Sequence, residues 1–116
     1  MITISSRIHT YARPDAREKI IDFYTNILGC KMMIAPGTSM PAFLFSNGAS
    51  LSVEFTDDAL DEQQARRGAW LELKTDDSSG LKQKVLAAGL LQVEHPITKR
   101  FYFQAPGGQI WGIADS

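Results

Sequence analysis

The sequence has almost no cysteine, no long apolar run and no excess of charge of either sign. Cys30 is the only cysteine among 116 residues, which excludes a disulfide within the chain and fits a reducing compartment. No segment approaches the roughly 20 apolar residues that a membrane-spanning helix needs. The first residues, Met1-Ile2-Thr3-Ile4, lack the charged and apolar stretches of a signal peptide. Together these absences predict a cytoplasmic protein.

The charge balance also narrows the range of partners. The chain has 12 basic and 13 acidic residues, for a formal net charge of -1. It has no basic stripe and no cationic amphipathic helix, so neither nucleic acid nor a membrane surface is a predicted partner. A Ser-His-Asp order, a phosphate-binding glycine loop and a CxxC pair are all missing. The length and the 44% hydrophobic content predict one compact domain.

The first of two predicted helices covers about residues 16–28. Ile20 and Tyr24 fall on one face at helical spacing. Asp15 stands where a side chain would cap the N-terminus. Gly29 follows directly and predicts a left-handed end to the helix.

The second predicted helix covers about residues 79–88. Val85 lies on its apolar face, and Asp77 or Ser78 stands at the capping position. Gly89 predicts its end in the same way as the glycine that follows the first helix.

Alternating residues predict strands around these helices. In the first, Ile2, Ile4 and Ile8 fall on one side and His9 on the other. Asn47-Gly48 is a strong hairpin signal between two of the strands. The predicted strands cover residues 2–11, 41–46, 49–55, 69–75, 100–104 and 109–114.

The spacing of glycines indicates an internal repeat. The two helix-ending glycines, Gly29 and Gly89, lie 60 residues apart, and so do the hairpin glycines Gly48 and Gly108. We therefore predict an α+β fold of two βαβββ modules, which form a curved mixed sheet around a cleft. The apolar side of each strand would face a helix and the polar side would face the cleft. The predicted bounds are about 1–56 for module one, 57–67 for the linker and about 68–116 for module two.

Several apolar or aromatic residues have a predicted location but no predicted role in a site. Trp111 shares its strand side with Ile113 and is predicted to face a helix. Phe43 stays open between the core and the cleft. The methionine-rich run 30–34 is predicted to pack in the core or in a dimer interface. His95 is predicted to lie at the surface.

Three stretches of the chain carry a family resemblance. The first is Asp22–Gly29, the second is Leu71–Asp77 with the helix that ends at Gly89, and the third is Phe101–Trp111. In this order they resemble the vicinal oxygen chelate superfamily, which includes glyoxalase I, extradiol dioxygenases, fosfomycin-resistance enzymes and bleomycin-binding proteins. The resemblance implies one glyoxalase/bleomycin-resistance-like domain over residues 1–116, and it implies a homodimer.

The resemblance also implies positions for metal ligands. Enzymes of the superfamily hold one ligand on the first and on the last strand of each module. Matching strand by strand puts His9 and Glu54 at the first two positions, and both residue types suit a divalent metal. Trp70 and Gly112 fall at the other two positions, and neither can ligate through its side chain. No metal or other cofactor is therefore the main prediction, and a divalent metal on His9 and Glu54 is the alternative.

Glu72 has two possible roles. It lies two residues after Trp70 on the same strand face, where it could join His9 and Glu54 in a three-ligand site. The favoured alternative is an ion pair with one of three nearby basic residues. These are Arg7, Lys74 and Arg100.

The predicted ligand pocket combines aromatic walls with polar groups. Trp70 and Tyr102 offer flat surfaces for an aromatic or cationic small molecule. Gln104 has the same parity as Tyr102 and is predicted to face the cleft as well. The polar residues of the predicted pocket are His9, Glu54, Glu72 and Arg100.

Three functions follow from these features. The first is a metal-independent small-molecule binding protein, similar to bleomycin-resistance binders, that sequesters a drug or metabolite. The alternative is a divalent-metal-dependent lyase or isomerase of the glyoxalase type that uses His9 and Glu54. The third is a structural or interaction module whose cleft is filled by its own side chains.

Overall fold

The computed structural model describes all 116 residues and divides them into two compact units. We call Met1–Ala59 module 1 and Leu60–Ser116 module 2. No helix in either module is both long enough and apolar enough to cross a membrane.

Module 1 contains one strand, one helical segment and three further strands. Its four-stranded sheet has the order β1-β4-β3-β2, with β1 parallel to β4 and the other pairs antiparallel. The elements are β1 (Arg7–Ala12), a 3-10 turn (Pro14–Ala16), α1 (Arg17–Asp22), a π-helical turn (Phe23–Ile27), β2 (Lys31–Ile34), β3 (Pro41–Leu44) and β4 (Ser50–Phe55).

Module 2 repeats this order after a short helix. Its sheet has the order β5-β8-β7-β6, again with one parallel and two antiparallel pairs. The elements are α2 (Glu62–Ala65), β5 (Trp70–Thr75), α3 (Ser78–Ala87), β6 (Leu91–Val93), β7 (Phe101–Gln104) and β8 (Ile110–Asp115). The predicted α+β class with two βαβββ modules is confirmed, and each module has its own open sheet of four strands.

The same pairing register holds in both sheets. In module 1, Ser52 of β4 pairs with His9 of β1 and with Ala42 of β3. In module 2, Gly112 of β8 pairs with Glu72 of β5 and Tyr102 of β7. Three residues of one module therefore have exact positional counterparts in the other: His9 and Glu72, Ala42 and Tyr102, Ser52 and Gly112.

One face of each sheet carries the core, as the alternation predicts. In module 1, Phe43 is fully buried and stacks on Tyr24, with 4.8 Å between ring centroids. The choice between core and cleft for Phe43 is thereby settled as core. In module 2, Phe103 and Trp111 are buried on the side of α3, where Val85 is also buried. We call the opposite side of each sheet its open face.

The prediction that the first strand begins at residue 2 is wrong. β1 begins at Arg7, and Ile2 and Ile4 are 98% and 97% exposed. The cause is the length of the neighbouring strand, since β4 begins only at Ser50 after the hairpin turn. The last bond of this ladder runs from the Ser50 N–H to the carbonyl of Ser6.

The glycine ends of the helical segments are confirmed, but one of the two caps is wrong. Gly29 and Gly89 have φ of 77° and 79°. Asp77 accepts a hydrogen bond from the N–H of Gly80 at 3.0 Å, as a cap should. Asp15 caps nothing, because Pro14 starts a 3-10 turn that already contains it. Proline suits a first helical position, since its φ is preset and it has no N–H to satisfy.

The short edge strands β2 and β6 were not predicted from the sequence. All four residues of β2 are exposed, so the predicted core packing of the run 30–34 is wrong except for Cys30, which is buried. Alternation is a signal of one-sided burial, and an exposed edge strand does not have it. Within the stretch 57–67, α2 carries a capping box between Asp61 and Gln64.

Candidate functional site

The open face of module 1 carries a polar cluster. His9 Nδ1 lies 2.7 Å from Ser52 Oγ, and His9 Nε2 lies 3.3 Å from Glu54 Oε1. The register explains both contacts, because Ser52 is directly opposite His9 and Glu54 is two residues further along the same face. The rings of Tyr11 and His9 are nearly perpendicular, with centroids 5.0 Å apart. The structure therefore brings His9 and Glu54 together.

Both ring nitrogens of His9 have an oxygen partner, and their donor and acceptor roles depend on the tautomer. In the tautomer with the proton on Nε2, both contacts are hydrogen bonds. The Nε2–H would donate to the Glu54 carboxylate, and Nδ1 would accept from the Ser52 hydroxyl. Both His9 and Glu54 are exposed, so their contact contributes little to stability.

The open face of module 2 carries an aromatic cluster. The rings of Trp70 and Tyr102 lie 4.9 Å apart at an interplanar angle of 58°. His95 meets Trp70 edge to face at 5.5 Å. All three side chains are half-buried, so each presents part of its ring to the surroundings. We call Trp70, Tyr102 and His95 the aromatic platform.

Gly112 makes room for the Tyr102 ring. A Cβ at position 112 would lie 2.8 Å from Tyr102 Cε1 and 3.1 Å from Cδ1. Real Cβ atoms essentially never approach a carbon that closely, so a side chain at Gly112 would displace the ring. The glycine at a predicted ligand position is thus explained by the aromatic residue that lies over it.

The segment around α2 fixes the indole of Trp70. The Trp70 Nε1–H donates to the carbonyl of Arg66 at 2.9 Å, and the Arg66 Nε–H donates to Gln104 Oε1 at 2.9 Å. The Gln104 amide in turn donates to the carbonyls of Glu62 and Gly108. Gln104 is only 4% exposed. Gln104 was predicted to face the cleft, and in the structure this segment covers its side chain.

His95 was assigned to the surface but contributes to the platform. Its Nδ1 accepts hydrogen bonds from the backbone N–H groups of Ile97 and Thr98, at 3.1 and 3.0 Å. These bonds leave the proton of the neutral ring on Nε2. The sequence carries no signal for the contact of His95 with Trp70, because that contact depends on tertiary packing.

Glu72 forms an ion pair with Arg100, which was one of its three predicted partners. Arg100 immediately precedes β7, and Glu72 and Tyr102 pair with Gly112 from its two sides in the same cross-strand row. The carboxylate of Glu72 is therefore engaged by a cation of its own chain.

The residues present do not fit a metal centre. The register makes Glu72, not Trp70, the counterpart of His9, and it makes Ala114 the counterpart of Glu54. Glu72 is paired with Arg100, and Ala114 has no ligating atom in its side chain. No group of three or more His, Cys, Asp or Glu side chains is arranged to hold a metal ion. His9 and Glu54 remain the one close pair of donor side chains from the predicted set.

Comparison with known proteins gives structural matches but no sequence match. No protein-family model matches the chain, and no curated protein does so. A glyoxalase family protein of Bacillus anthracis has a TM-score of 0.76 at 15% identity, over 100% of this chain and 97% of its own. The fosfomycin resistance protein FosX of Listeria monocytogenes, solved with Mn(II), has a TM-score of 0.74 at 17% identity, over 97% and 90%.

A third structural match is a binding protein. TnmS3, an antibiotic binding protein of Streptomyces, has a TM-score of 0.65 at 18% identity, and the match covers 98% of this chain and 96% of TnmS3. At such identities the matches establish the fold alone, and the fold is the one that the three sequence stretches predicted. The chain has the two-module fold of the vicinal oxygen chelate proteins.

Proposed function

We propose that this protein binds a flat aromatic small molecule on the aromatic platform of module 2, without a metal ion. The observation that carries the proposal is the pair of neighbouring rings, Trp70 and Tyr102, of which Tyr102 lies over Gly112. Two half-buried rings lie side by side on an open sheet face, and the buried Gly112 leaves the space that the Tyr102 ring occupies.

The platform has the properties of a stacking surface. Aromatic contacts contribute about 0.5–1.5 kcal/mol each beyond the area that they bury. The indole of Trp70 is held by its hydrogen bond to the Arg66 carbonyl, and Tyr102 is held between Trp70 and Gly112. Side chains that are already fixed lose little conformational entropy when a ligand binds, which favours affinity.

The matched structures support this kind of function without assigning it. TnmS3 is described as an antibiotic binding protein, so the same fold can carry a binding site. FosX was solved with Mn(II), and the fold can therefore carry a metal as well. In this chain the donor set is incomplete and the aromatic set is well formed, which favours binding over metal-dependent catalysis.

The test measures ligand binding by platform variants. A library of planar aromatic compounds would be screened by calorimetry and by quenching of tryptophan fluorescence. For any hit, Trp70→Leu and Tyr102→Leu should each weaken binding by about tenfold or more, from lost stacking. Tyr11→Leu is the matched control, because Tyr11 is an exposed aromatic residue on the open face of module 1.

Two results would overturn the proposal. One is a library with no saturable binding, or with binding that survives both platform substitutions. The other is a stoichiometric metal in protein purified without chelator, or after soaking in nickel, zinc or manganese, with loss of that metal in His9→Ala. The second result would favour the glyoxalase-type lyase or isomerase.

The oligomeric state is a separate part of the proposal. We propose a homodimer, on the basis of the family resemblance and of the exposed edge strand β2, whose outer backbone groups have no strand partner. Light scattering at micromolar concentration should give twice the chain mass of 12.8 kDa. A monomer mass at all concentrations would contradict this part and leave the ligand proposal standing.

A further inference from the structure

We infer that the small molecule taken by the aromatic platform is an anion, specifically a flat aromatic carboxylate whose charge is bound by Lys74 and Arg100. The inference rests on the proposed function, and it narrows the ligand from any planar aromatic compound to one chemical class. It keeps the aromatic part of the sequence-based prediction and departs from its cationic alternative.

The case against a cationic ligand comes from the carboxylates. On the open face of module 2, Glu72 already forms an ion pair with Arg100. On the open face of module 1, Glu54 contacts His9. A cationic ligand would have to displace Arg100 from Glu72 before it gained a carboxylate of its own. Displacing one cation with another yields little net binding energy, since one ion pair is exchanged for another.

Lys74 is the unbalanced charge on the same face. Trp70, Glu72 and Lys74 alternate along β5 and so lie on one side of the sheet. Lys74 is exposed and is paired across the sheet with Ala114, and its side chain makes no ion pair or hydrogen bond. Together Glu72, Lys74 and Arg100 carry a formal charge of +1 beside the platform, and an anion would neutralise it.

Arg100 can take part without leaving Glu72. A guanidinium has five N–H donors in a planar fork. The ion pair with Glu72 uses the NH1 end, and the Arg100 side chain remains exposed. Its free N–H groups can therefore donate to a second carboxylate, in the charge-assisted geometry that favours arginine at such sites.

The dimensions fit a ligand of two or three fused rings. Strand residues rise about 3.3 Å each, so the Cα atoms of Trp70 and Lys74 lie roughly 13 Å apart along β5. The flexible four-carbon stem of Lys74 covers part of that distance. A carboxylate at one end of a fused-ring system would reach the ammonium group while the rings lie on Trp70 and Tyr102.

The experiment compares three probes with one ring system and three charges: 2-naphthoate, 2-naphthylmethanol and 2-naphthylmethylammonium. Binding would be measured by calorimetry at low salt. The wild-type protein should bind the carboxylate about tenfold more tightly than the alcohol, and the ammonium most weakly. Lys74→Gln should reduce that preference to a few-fold and leave the affinity for the alcohol unchanged. Half-molar salt should reduce it in the same direction.

Lys82→Gln is the matched control. Lys82 belongs to α3, on the helix side of the sheet, where its ammonium lies 5.7 Å from the centre of the Phe101 ring. The substitution removes the same charge and should leave all three affinities unchanged.

The possible outcomes separate the inference from the proposed function. Equal binding of all three probes, or tighter binding of the ammonium, together with dependence on Tyr102, would overturn the inference and leave the proposed function standing. A charge preference that Lys82→Gln abolishes as fully as Lys74→Gln would overturn it too. If none of the probes binds saturably at millimolar concentration, the anion inference fails. The proposed function fails with it only if the wider aromatic library also gives no binding.

Discussion

The two modules share their topology and their register and differ in what they present on the open face. In the row through Ser52, module 1 has small Ala42 on β3, and His9 reaches both Ser52 and Glu54. In the equivalent row of module 2, β7 supplies the large Tyr102 opposite Gly112.

The comparison shows that the residue on the last strand of a module is smaller where its neighbour in the row is larger. Where β3 supplies a small residue, β4 can carry a polar side chain. Where β7 supplies an aromatic ring, β8 has glycine, because no side chain fits under the ring. One scaffold thus holds a polar cluster in one half and an aromatic platform in the other.

The largest losses of stability should come from substitutions on the helix side of each sheet, where both modules have their cores. Phe43 and Phe103 are counterparts in the register, and both are fully buried. Phe43→Ala and Phe103→Ala should each lower the free energy of unfolding by about 3–5 kcal/mol, from lost burial and a residual cavity. Urea denaturation of the two variants measures this cost. A cost below about 1 kcal/mol for either would show that the two cores are not equivalent.

Replacing residues of module 2 with their counterparts in module 1 should test whether the Tyr102 ring requires Gly112. Gly112→Ser installs the residue of module 1 and should cost about 1–3 kcal/mol, because its Cβ meets the Tyr102 ring. In the background of Tyr102→Ala, which matches Ala42, the same substitution should cost far less. A double-mutant cycle on thermal or urea unfolding measures the coupling. Additive costs would mean that the ring does not require the glycine.

A smaller effect should distinguish the modules at alkaline pH. Burial raises the pKa of the Cys30 thiol to about 11, whereas the equivalent position after the helix-ending glycine of module 2 is Leu90, which cannot ionise. The folded protein therefore holds a proton that the unfolded chain releases near its ordinary pKa. The resulting stability is complete below pH 9 and is lost as the pH rises towards 11.

The control for this prediction is Cys30→Ala. Between pH 9 and 11 the wild-type protein should lose on the order of 1 kcal/mol more unfolding free energy than the variant. Parallel stability curves for the two proteins would contradict the assignment.

The fold was predictable because its signals are local. Glycines after helices, the Asn47-Gly48 turn and the alternation of apolar residues each act within a few residues of the chain. The exceptions have long-range causes. Ile2 and Ile4 alternate as a strand should, but β4 is too short to pair with them.

For the candidate site, the sequence predicted which sheet face each residue lies on, but not which residues contact each other. Strand parity placed Trp70, Glu72 and Tyr102 on one side of the second sheet, as the register shows. Parity could not choose among three basic partners for Glu72, because that choice depends on where the loop before β7 lies. It also could not show that His95 reaches Trp70. Both contacts join residues that are more than 20 positions apart in the chain.

The hydrogen bond that orients Trp70 has a consequence for how the protein can evolve. Its acceptor is the main-chain carbonyl of Arg66, and every amino acid supplies that group. Substitutions at position 66 that preserve the local backbone would keep the bond. Any conservation of arginine at position 66 would therefore reflect its side-chain bond to the buried Gln104, and would not reveal that its carbonyl orients the indole. Only a substitution of Trp70, or a change in the backbone path of residues 62–69, would remove this hydrogen bond.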